Sequence, residues 1–474
     1  MAATAPVSAP GTRTAALGDV LDDLATNFPH IAVLAPSVET IAYLDDAATR
    51  RARGDAASGP AVALPSTAED VQEVIRAAAR HGVTIVPRGA GTGLSGGASA
   101  TAAQLVVSTE RLDRIVEVAP LDEVAVVEPG VLNAALNAHL APWGLFYAPD
   151  PASYEISTIG GNVATNAGGL RCAKYGVTRE SVLALDVVLA DGELVTIGHR
   201  SIKGVTGLDL VSLFVGSEGV LGIVVRVTVR LRPIPVARRT VTAFFDTTAA
   251  GAAALSAITR SSVRPSVIEF LDGRTLVNID LHRGTDLSDR GGALLLIELD
   301  GYGIDQQFAD LRDALEAVGG RVRHETDAAA DALWELRRGG RGFDERSWFT
   351  GGDIAVPKSR IPDVYAALPQ LEERFGVEIG AVAHAGDGNL HPVITKPIPE
   401  GADPLVPPAD LHDAADELAR LALSLGGTVS GEHGIGTVKR ELAALELSTR
   451  SREAQLAVKA AFDPFELLNP GKAL

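Results

Sequence analysis

The chain has 474 residues, a formal net charge of −18 and 46% hydrophobic residues. This length predicts two or three domains, and the apolar content suffices for a sizeable core, so disorder is not expected. An acidic chain without a run of Lys or Arg is a poor nucleic-acid binder. Cys172 is the single cysteine, which excludes an intramolecular disulfide, a cysteine-ligated iron–sulfur cluster and a Cys-rich zinc module.

The net charge also repels anionic substrates at long range, so such a substrate must be captured by local Arg, metal or backbone N–H groups. The N-terminus lacks the basic start and apolar run of a secretory signal. No stretch approaches the ~18–20 uninterrupted apolar residues of a membrane helix. Together with the low cysteine content, these features predict a cytoplasmic protein. A peripheral contact with the inner face of the membrane stays open.

The first part of the chain, residues 1–55, is predicted to hold a loose tail at 1–13, a helix, and the start of a linker at roughly 46–60. The helix ends at Pro29, and its apolar face consists of Leu17, Val20, Leu21, Leu24 and Phe28. A strand–helix–strand unit follows, in which AVALP is a strand, Ser66 and Glu69 form a capping box, and 83–87 is the second strand.

Further strands are predicted at 104–108 and 124–128, a helix near 131–140, and two strands on either side of a turn at Asp191-Gly192. A strand-like alternation then ends at two prolines, which indicates a domain boundary near 235. Residues 56–235 are therefore predicted to form one domain.

Residues 236–407 alternate between strands and helices. The predicted strands are 240–245, 266–271, 293–299, 321–325, 353–356 and those around 377–395, and the predicted helices are 248–261, 304–318, 328–338 and 360–375. This order favours an antiparallel or mixed sheet covered on one face, in the α+β class. The last segment, 408–474, is predicted to be largely helical and interrupted by TVSGEHGIGT.

Three glycine-rich segments in the first domain indicate a ligand. PRGAGTGLSGGA (87–98) follows a strand, and its glycines allow several backbone N–H groups to turn inward and bind a pyrophosphate, with Thr92 and Ser95 adding hydroxyls. Taken alone, it is better explained as a flexible loop, and it is not a Rossmann fingerprint, because no ribose-binding acid follows in a βαβ unit. With 157–176 and GSEGVLGI (216–223), however, the three segments suit a large cofactor with two phosphates, a polyol chain and a polar ring.

HAGDGNLH (384–391) predicts a metal-binding hairpin. If Asp387-Gly388 is a two-residue turn, His384 and His391 are directly opposed on one face and can share a metal ion. SGEHGIG (430–436) supplies Glu432, which completes a three-ligand site with open positions, suited to zinc, Mn or Fe(II). The alternatives are a hairpin of stacked histidines without metal and a helix-capping loop with solvated side chains.

These segments, together with HAGDGNLHP, SGEHGIG and NPGK in this order, resemble the FAD-dependent vanillyl-alcohol oxidase/p-cresol methylhydroxylase superfamily. The resemblance covers about 40–474 and is strongest to the branch of D-lactate dehydrogenase, the glycolate oxidase flavin subunit and D-2-hydroxyglutarate dehydrogenase. It implies a two-part FAD-binding domain of the PCMH type, a ferredoxin-like antiparallel-sheet substrate (cap) domain, and a C-terminal helical segment that returns to the flavin.

By this resemblance FAD would bind non-covalently, because the first loop lacks the histidine to which some members attach it. The loop 87–98 would wrap the pyrophosphate, 149–151 and 158–169 would line the flavin and ribityl chain, and 216–223 would contact the adenine half and the flavin edge. The implied cofactor-binding residues are Pro87, Arg88, Gly89, Ala90, Gly91, Thr92, Gly93, Ser95, Gly96, Pro149, Asp150, Thr158, Gly160, Gly161, Asn162, Ala164, Thr165, Asn166, Gly168, Gly169, Tyr175, Gly176, Glu218, Gly219, Gly222, Ile223 and Asn469.

The resemblance also assigns catalytic roles. It matches His384, His391 and Glu432 to metal ligands and His433 to the general base. It places an arginine at Arg337, or at Arg338 if the register slips by one, to bind the substrate carboxylate; a surface helix arginine is the alternative. Members that act on 2-hydroxyglutarate tend to carry a lysine where this chain has Gly351, two residues before Asp353, which lowers that assignment.

The expected function is an FAD-dependent dehydrogenase that oxidises a small D-2-hydroxy acid, D-lactate first, by hydride transfer to flavin N5 with metal-assisted substrate binding. The electron acceptor would be external: a quinone, a cytochrome or an electron-transfer flavoprotein. Alternatives are the flavin subunit of a multi-subunit glycolate oxidase, a D-2-hydroxyglutarate dehydrogenase, or a metal- and FAD-binding protein without turnover. A homodimer stays open.

Overall fold

The computed structural model describes residues 10–50, 56–339 and 346–474. Their first sheet has four strands in the order β1-β2-β4-β3, with β1 antiparallel to β2 and the other pairs parallel. The elements of this part are α1 (Pro10–Asn27), β1 (Ala32–Leu34), β2 (Ala61–Leu64), α2 (Ala68–His81), β3 (Ile85–Arg88) and β4 (Leu105–Ser108). The helix α1 packs on α2 and buries Val20 and Leu24, which leaves one apolar core beneath the sheet.

Two expectations for this region were wrong in detail. The predicted tail at 1–13 is helical from Pro10 onward, while residues 1–9 lie outside the described residues, as do 51–55 of the predicted linker. The capping box of α2 is formed by Thr67 and Asp70, not by Ser66 and Glu69. Both pairs have the same spacing, and the helix begins one residue later because Thr67 and Asp70 satisfy each other's backbone N–H groups.

The second sheet has five antiparallel strands in the order β5-β6-β10-β8-β9. Its elements are β5 (Ile115–Ala119), β6 (Val124–Val127), α3 (Asn133–Leu140), β7 (Leu145–Phe146), α4 (Ile159–Thr165), α5 (Cys172–Tyr175), α6 (Thr178–Ser181), β8 (Val182–Val188), β9 (Leu194–Gly198), α7 (Leu210–Phe214), β10 (Ile223–Arg230) and β11 (Arg232–Pro233). The two sheets share a core, because Val74 and Ile75 of α2 pack with Val188 and Ile223 of the second sheet.

The third sheet follows the predicted boundary near 235. It runs β15-β12-β14-β13-β18-β19-β16, all antiparallel, and β17 also pairs with β19. Its elements are β12 (Arg238–Phe245), α8 (Thr248–Arg260), β13 (Val267–Asp272), α9 (Gly273–Arg283), α10 (Leu287–Arg290), β14 (Ala293–Asp300), α11 (Ile304–Glu316), β15 (Arg321–His324), α12 (Asp327–Arg338), β16 (Ser347–Gly351), β17 (Ile354–Ala355), α13 (Ile361–Phe375), β18 (Glu378–His384) and β19 (Asn389–Pro397).

Helices cover this cap sheet on both faces, which corrects the expectation of one covered face. Leu295 and Ile297 of β14 pack with α8, α11 and α13, whereas Leu294 and Leu296 pack with α9 and α12. The reason is that β14 is apolar at consecutive positions, so each face of the strand needs cover. The sequence did not predict α9.

The C-terminal segment connects the two halves of the molecule. It contains α14 (Ala409–Ser424), α15 (Arg440–Glu446) and α16 (Thr449–Phe462), in agreement with the helical expectation. The apolar face of α14 packs on the cap sheet, while the chain end returns to β3, where Ile85 N donates to Leu467 O and Asn469 N donates to Ile85 O. Among the described residues, no helix is both long and apolar enough to cross a bilayer.

Candidate active site

A first cavity of about 610 Å³ lies where the three glycine-rich segments meet. The loop after β3 forms one wall, the start of α4 a second, and the turn before β10 a third. Predicted cofactor residues that line it are Pro87, Arg88, Gly89, Ala90, Gly91, Thr92, Gly93, Ser95, Thr158, Gly160, Gly161, Asn162, Ala164, Thr165, Gly168, Glu218, Gly219, Gly222 and Ile223. The structure therefore brings together the three segments that the sequence marked.

The walls of this cavity fit a large polar cofactor. A Cβ atom on Gly89 would lie 2.4 Å from Thr158 Oγ1, so the two loops approach closely only because this residue is glycine. Asn162 is buried, and its Nδ2 donor has no hydrogen-bond partner within the part of the chain that the structure describes. A buried donor without a partner is costly, so a ligand that accepts this hydrogen bond is expected.

Six of the predicted cofactor residues line neither large cavity. They are Gly96, Pro149, Asn166, Tyr175, Gly176 and Asn469. Asn469 instead joins two walls, since its Nδ2 donates to Gly97 O at 3.0 Å and to Glu218 O at 2.7 Å. The hydroxyl of Tyr175 donates to Asp300 Oδ2 at 2.6 Å and thereby connects the first domain to the cap.

Two other residues that were predicted to bind the cofactor have structural roles in the wall of the first cavity. Arg88 lines it, but its guanidinium is bound to backbone carbonyls, including Ala42 O at 2.9 Å and Asp45 O at 3.0 Å. The carboxylate of Glu218 accepts from Ile435 N at 2.7 Å and Gly436 N at 2.8 Å. Burial raises the pKa of Glu218. Glu218 therefore anchors the loop 430–436 against the cavity wall.

The histidine hairpin forms, but in a different register from the one predicted. His384 pairs with Asn389, and His391 pairs with Val382, so the connecting loop has four residues, 385–388, rather than two. Residues 384 and 391 are diagonal rather than directly opposed. The register shift is two residues, which preserves the face of each side chain. The rings therefore still meet, with centroids 5.0 Å apart.

His384, His391 and Glu432 form a compact set of metal-ligand atoms. Glu432 Oε1 lies 3.1 Å from His391 Nε2 and 3.6 Å from His384 Nε2, and the three ligand atoms lie within 4.8 Å of one another. His384 Nδ1 lies 2.6 Å from Glu269 Oε1, which fixes the ring so that Nε2 faces the other ligands. A carboxylate behind a histidine is the usual support of a metal ligand, so these residues fit a divalent cation.

The pKa shifts follow from this crowding of charge. Burial alone would lower the pKa of His384, but the carboxylates of Glu269 and Glu432 outweigh it and raise the value to about 10. Burial would raise the pKa of Glu432, yet its hydrogen bonds to His384 and His391 hold it well below its usual range. The cluster thus concentrates negative charge next to imidazole nitrogens, as a cation site requires.

Asp353 organises the loop that carries Glu432 and His433. Its carboxylate accepts from three consecutive backbone N–H groups, those of residues 431–433, at 3.0–3.2 Å. Lys439 Nζ donates to Asp353 Oδ2 at 3.0 Å. Burial would raise the pKa of Asp353, but the nearby His433, Lys439 and His391 lower it below its usual range. His433 Nε2 is held 4.0 Å from Glu432 Oε1.

A second cavity of about 660 Å³ lies between the first domain and the cap. It shares Glu432 and His433 with the first cavity. Arg337, which is predicted to bind the substrate carboxylate, lines this second cavity. It forms an ion pair with Glu269, and its Nη2 lies 3.5 Å from His384 Nδ1. Among the predicted cofactor residues, Asp150 and Gly169 line this cavity rather than the first.

Sequence reasoning missed Glu269, the supporting role of Asp353, and Lys439. The first had a detectable signal, because Glu269 is a charged residue inside the apolar strand VIEFLD. It is fully buried there, which a carboxylate tolerates only with partners.

Comparisons with known proteins agree with this arrangement. A profile of the FAD linked oxidases, C-terminal domain, matches residues 234–473, and a profile of an FAD binding domain matches residues 60–198. The glycolate oxidase subunit GlcD of Bacillus subtilis is 38% identical over 87% of this chain and 88% of its own length. This chain belongs to the FAD-linked oxidase family.

Other members of the family show its breadth. D-lactate dehydrogenase of Archaeoglobus fulgidus is 34% identical over 88% of this chain and 92% of its own length. D-2-hydroxyglutarate dehydrogenase of Xanthomonas citri is 35% identical over 87% of this chain and 88% of its own length. The chain is accordingly an FAD-linked oxidoreductase, and the superfamily named from its motifs is confirmed.

Solved structures bear out the fold of the FAD-linked oxidases. p-Cresol methylhydroxylase superposes with a TM-score of 0.76 at 18% identity, covering 98% of this chain and 97% of that one. 4-Ethylphenol oxidase from Gulosibacter chungangensis gives a TM-score of 0.75 at 20% identity, covering 99% and 98%. These likenesses confirm the α+β class with a PCMH-type FAD-binding part.

Proposed function

We propose that this FAD-linked oxidoreductase oxidises a small D-2-hydroxy acid, with D-lactate as the first substrate to test, to the 2-oxo acid. The observation that carries the proposal is that Glu432 and His433 line both cavities. Glu432 is a proposed metal ligand, and His433 is the proposed base. A substrate in the second cavity would therefore lie against the candidate metal cluster and face a cofactor in the first.

Each group has a chemical task in this proposal. FAD, when bound, would accept the C2 hydrogen with its electron pair. His384, His391 and Glu432 would hold a divalent cation, zinc or alternatively Mn or Fe(II), as a Lewis acid. His433 would take the hydroxyl proton, and its position is fixed because Asp353 binds its backbone N–H.

Arg337 is proposed to bind the substrate carboxylate. Its side chain is 13% exposed and its guanidinium is already oriented by the fully buried Glu269. Glu269 also orients His384, so one carboxylate fixes the position of Arg337 relative to a proposed metal ligand. A planar guanidinium has five N–H donors, which leaves donors for a bidentate carboxylate contact.

The second candidate is the flavin subunit of a multi-subunit glycolate oxidase. It is supported by the names of the GlcD relatives, which are called subunits. In either case electrons would leave to an external acceptor, proposed as a quinone, a cytochrome or an electron-transfer flavoprotein. Turnover of the purified chain with an artificial dye would favour a self-sufficient dehydrogenase over a subunit.

The test is anaerobic bleaching of the flavin by a panel of D- and L-2-hydroxy acids, with and without chelator. The proposal expects D-acids to bleach the flavin and chelator to slow the reaction. His433→Asn should retain the flavin and lower turnover by about 10²–10⁴-fold, the usual contribution of a general base. His412→Asn, on the exposed side of α14, is the matched control. A yellow protein that no 2-hydroxy acid bleaches would refute the proposal.

A further inference from the structure

One short segment of the first domain separates the two cavities. Ala167 and Gly168 line the first cavity, and the next three residues, 169–171, line the second. A Cβ atom on Gly168 would lie 2.6 Å from Glu432 Oε2, so the backbone of this segment packs directly against a proposed metal ligand. Residues 167–171, the dividing segment, therefore lie between the positions proposed for the cofactor and for the substrate.

Within the first domain, the dividing segment is held at both ends. Ala167 O accepts hydrogen bonds from Thr178 N at 3.1 Å and from Thr178 Oγ1 at 2.8 Å. Arg171 N donates to Asp150 Oδ1 at 3.0 Å. These bonds fix the ends of the segment within its own domain. They do not fix its distance from the cap, which carries Arg337 and the histidine hairpin.

The cap holds the same segment through an apolar contact. Leu170 is 8% exposed and belongs to an apolar cluster whose other buried members come from the cap, among them Val267, Leu296 and Trp334. The middle of the dividing segment is therefore anchored in the cap, although it belongs to the first domain. Apolar burial is not directional, so this contact alone does not fix the orientation of the segment.

A buried carboxylate of the cap supplies the direction. Asp300, the last residue of β14, is 2% exposed; its Oδ2 accepts from the Tyr175 hydroxyl at 2.6 Å, and its Oδ1 accepts from Lys174 Nζ. Both donors lie on α5, which begins directly after the dividing segment. Because the two donors reach different oxygens of one carboxylate, both the position and the orientation of α5 relative to the cap are fixed.

The helix α5 also contacts the hairpin that carries two proposed metal ligands. A Cβ atom on Gly386 would lie 2.4 Å from the Cβ atom of Ala173, so the helix and the loop 385–388 are in close contact. This loop connects His384 to the strand that carries His391. One short helix thus joins the dividing segment to the histidine hairpin, and Asp300 holds this helix in place.

We propose that Asp300 is a positioning residue for the oxidation: by binding Lys174 and Tyr175, it fixes the dividing segment and thereby the distance between the substrate and the flavin. The inference rests on the proposed function, in which the substrate C2–H bond breaks, the hydrogen passes with its electron pair to the flavin, and the hydroxyl proton passes to His433. Asp300 acts indirectly, since it lines neither cavity. A misplacement of about 1 Å can lower such a rate about 10²-fold.

The test is anaerobic stopped-flow reduction of the flavin in the holoenzyme, at increasing concentrations of the 2-hydroxy acid that bleaches it fastest. Asp300→Asn weakens both bonds to α5. Tyr175→Phe removes one hydroxyl and keeps the ring, with its edge contact to Phe146 at 5.5 Å, so it serves if Asp300→Asn does not fold. The measured quantities are the limiting reduction rate per bound flavin and the substrate concentration at half-maximal rate.

Asp280→Asn is the matched control. Asp280 is another cap aspartate whose carboxylate accepts several hydrogen bonds, from Thr285 Oγ1, Leu287 N and Ser288 N, and it lines neither cavity. Its substitution removes a partnered carboxylate from the cap without touching α5. The control should therefore keep the wild-type reduction rate.

Asp300→Asn should lower the limiting reduction rate at least about 10-fold, and Tyr175→Phe by a smaller factor, because a displaced dividing segment changes the transfer distance. The substrate concentration at half-maximal rate should change little, since Arg337 and the proposed metal ligands keep their contacts. A loss of stability alone would reduce the amount of active enzyme but not the rate per bound flavin. This split therefore distinguishes positioning from a purely structural role.

Hydrogen exchange of the oxidised holoenzyme provides a readout without turnover. The backbone N–H groups of residues 167–175 should exchange faster in Asp300→Asn than in the wild type, because the segment loses its support from the cap. The control should show wild-type exchange in these residues. Unchanged exchange in Asp300→Asn would overturn the inference.

Two results distinguish a failure of this inference from a failure of the proposed function. If 2-hydroxy acids reduce the flavin of Asp300→Asn at the wild-type limiting rate, the positioning role is wrong and the proposed function stands. A change confined to the substrate concentration at half-maximal rate has the same meaning. If no 2-hydroxy acid reduces the flavin of the wild type, the proposed function fails, and hydrogen exchange alone decides whether Asp300 holds the dividing segment.

Discussion

Asp353→Asn should detach the loop that carries Glu432 and His433 from its support. The carboxylate accepts hydrogen bonds from the N–H groups of residues 431–433, from Ser430 Oγ at 2.9 Å and from Lys439 Nζ at 3.0 Å. Asparagine replaces one accepting oxygen by a donor, so several of these donors lose their partner, and the mostly buried Lys439 loses its counter-charge.

The free-energy cost of Asp353→Asn can be bounded. Removal of one member of a buried ion pair typically destabilises by about 3–5 kcal/mol. If this falls on the loop rather than on the whole fold, the conformation that presents Glu432 becomes at least about 10²-fold less populated. Metal affinity should fall by a similar factor, whereas the FAD content should change little, because Asp353 lines neither cavity.

The assay is the metal content of the purified variant at a series of chelator-buffered metal concentrations, with the flavin absorbance recorded in parallel. Asp363→Asn is the matched control, because this aspartate pairs with Arg360 on the surface of α13. Lys439→Met should reduce the damage when it is combined with Asp353→Asn, since the unpaired charge disappears. An Asp353→Asn protein that binds metal as tightly as the wild type would refute the support role.

Three further changes test the site. Glu269→Gln should weaken metal binding and raise KM together, because one carboxylate orients both His384 and Arg337; a metal titration and KM measurement check this, and a change in only one of them would contradict it. Gly351→Lys should raise kcat/KM for 2-hydroxyglutarate relative to lactate by about 10-fold, because the lysine offers a positive charge to the second carboxylate. The side chain has room, since a Cβ at this position meets no atom within 4 Å. An unchanged ratio would count against this prediction. Gly89→Val should yield colourless protein, because its Cβ would lie 2.4 Å from a threonine oxygen; the flavin absorbance of the purified protein decides.

Much of the fold could be predicted from local pattern. The glycine-rich segments, the strand–helix alternation of the cap and the helical C-terminal segment occur as expected. Local errors were small where two neighbouring residue pairs could form the same hydrogen bonds. The capping box moved by one residue because Thr67 and Asp70 satisfy the same spacing as the predicted pair.

The metal hairpin shows how a wrong register can still place ligands correctly. The loop 385–388 has twice the predicted length, and the pairing shifts by two residues. Side chains alternate with a period of two, so His384 and His391 stay on one face. A shift of one residue would have separated them.

The support of the site could not be predicted because it depends on strand order. Glu269 lies directly opposite His384 across the β13–β18 pair, although 115 residues separate them in the chain. No local pattern specifies which strands become neighbours. The same holds for Asp353, whose partners in the loop 430–433 come from a different part of the chain.

The shared wall of the two cavities has a thermodynamic consequence. Glu432 and His433 belong to both linings, and Ser95 and Glu218 tie their loop to the glycine-rich side. Occupancy of one compartment that stiffens this loop must then favour occupancy of the other, and the coupling is reciprocal by linkage. Bound FAD should raise the affinity of the protein for the metal ion by the same factor by which the bound metal ion raises its affinity for FAD.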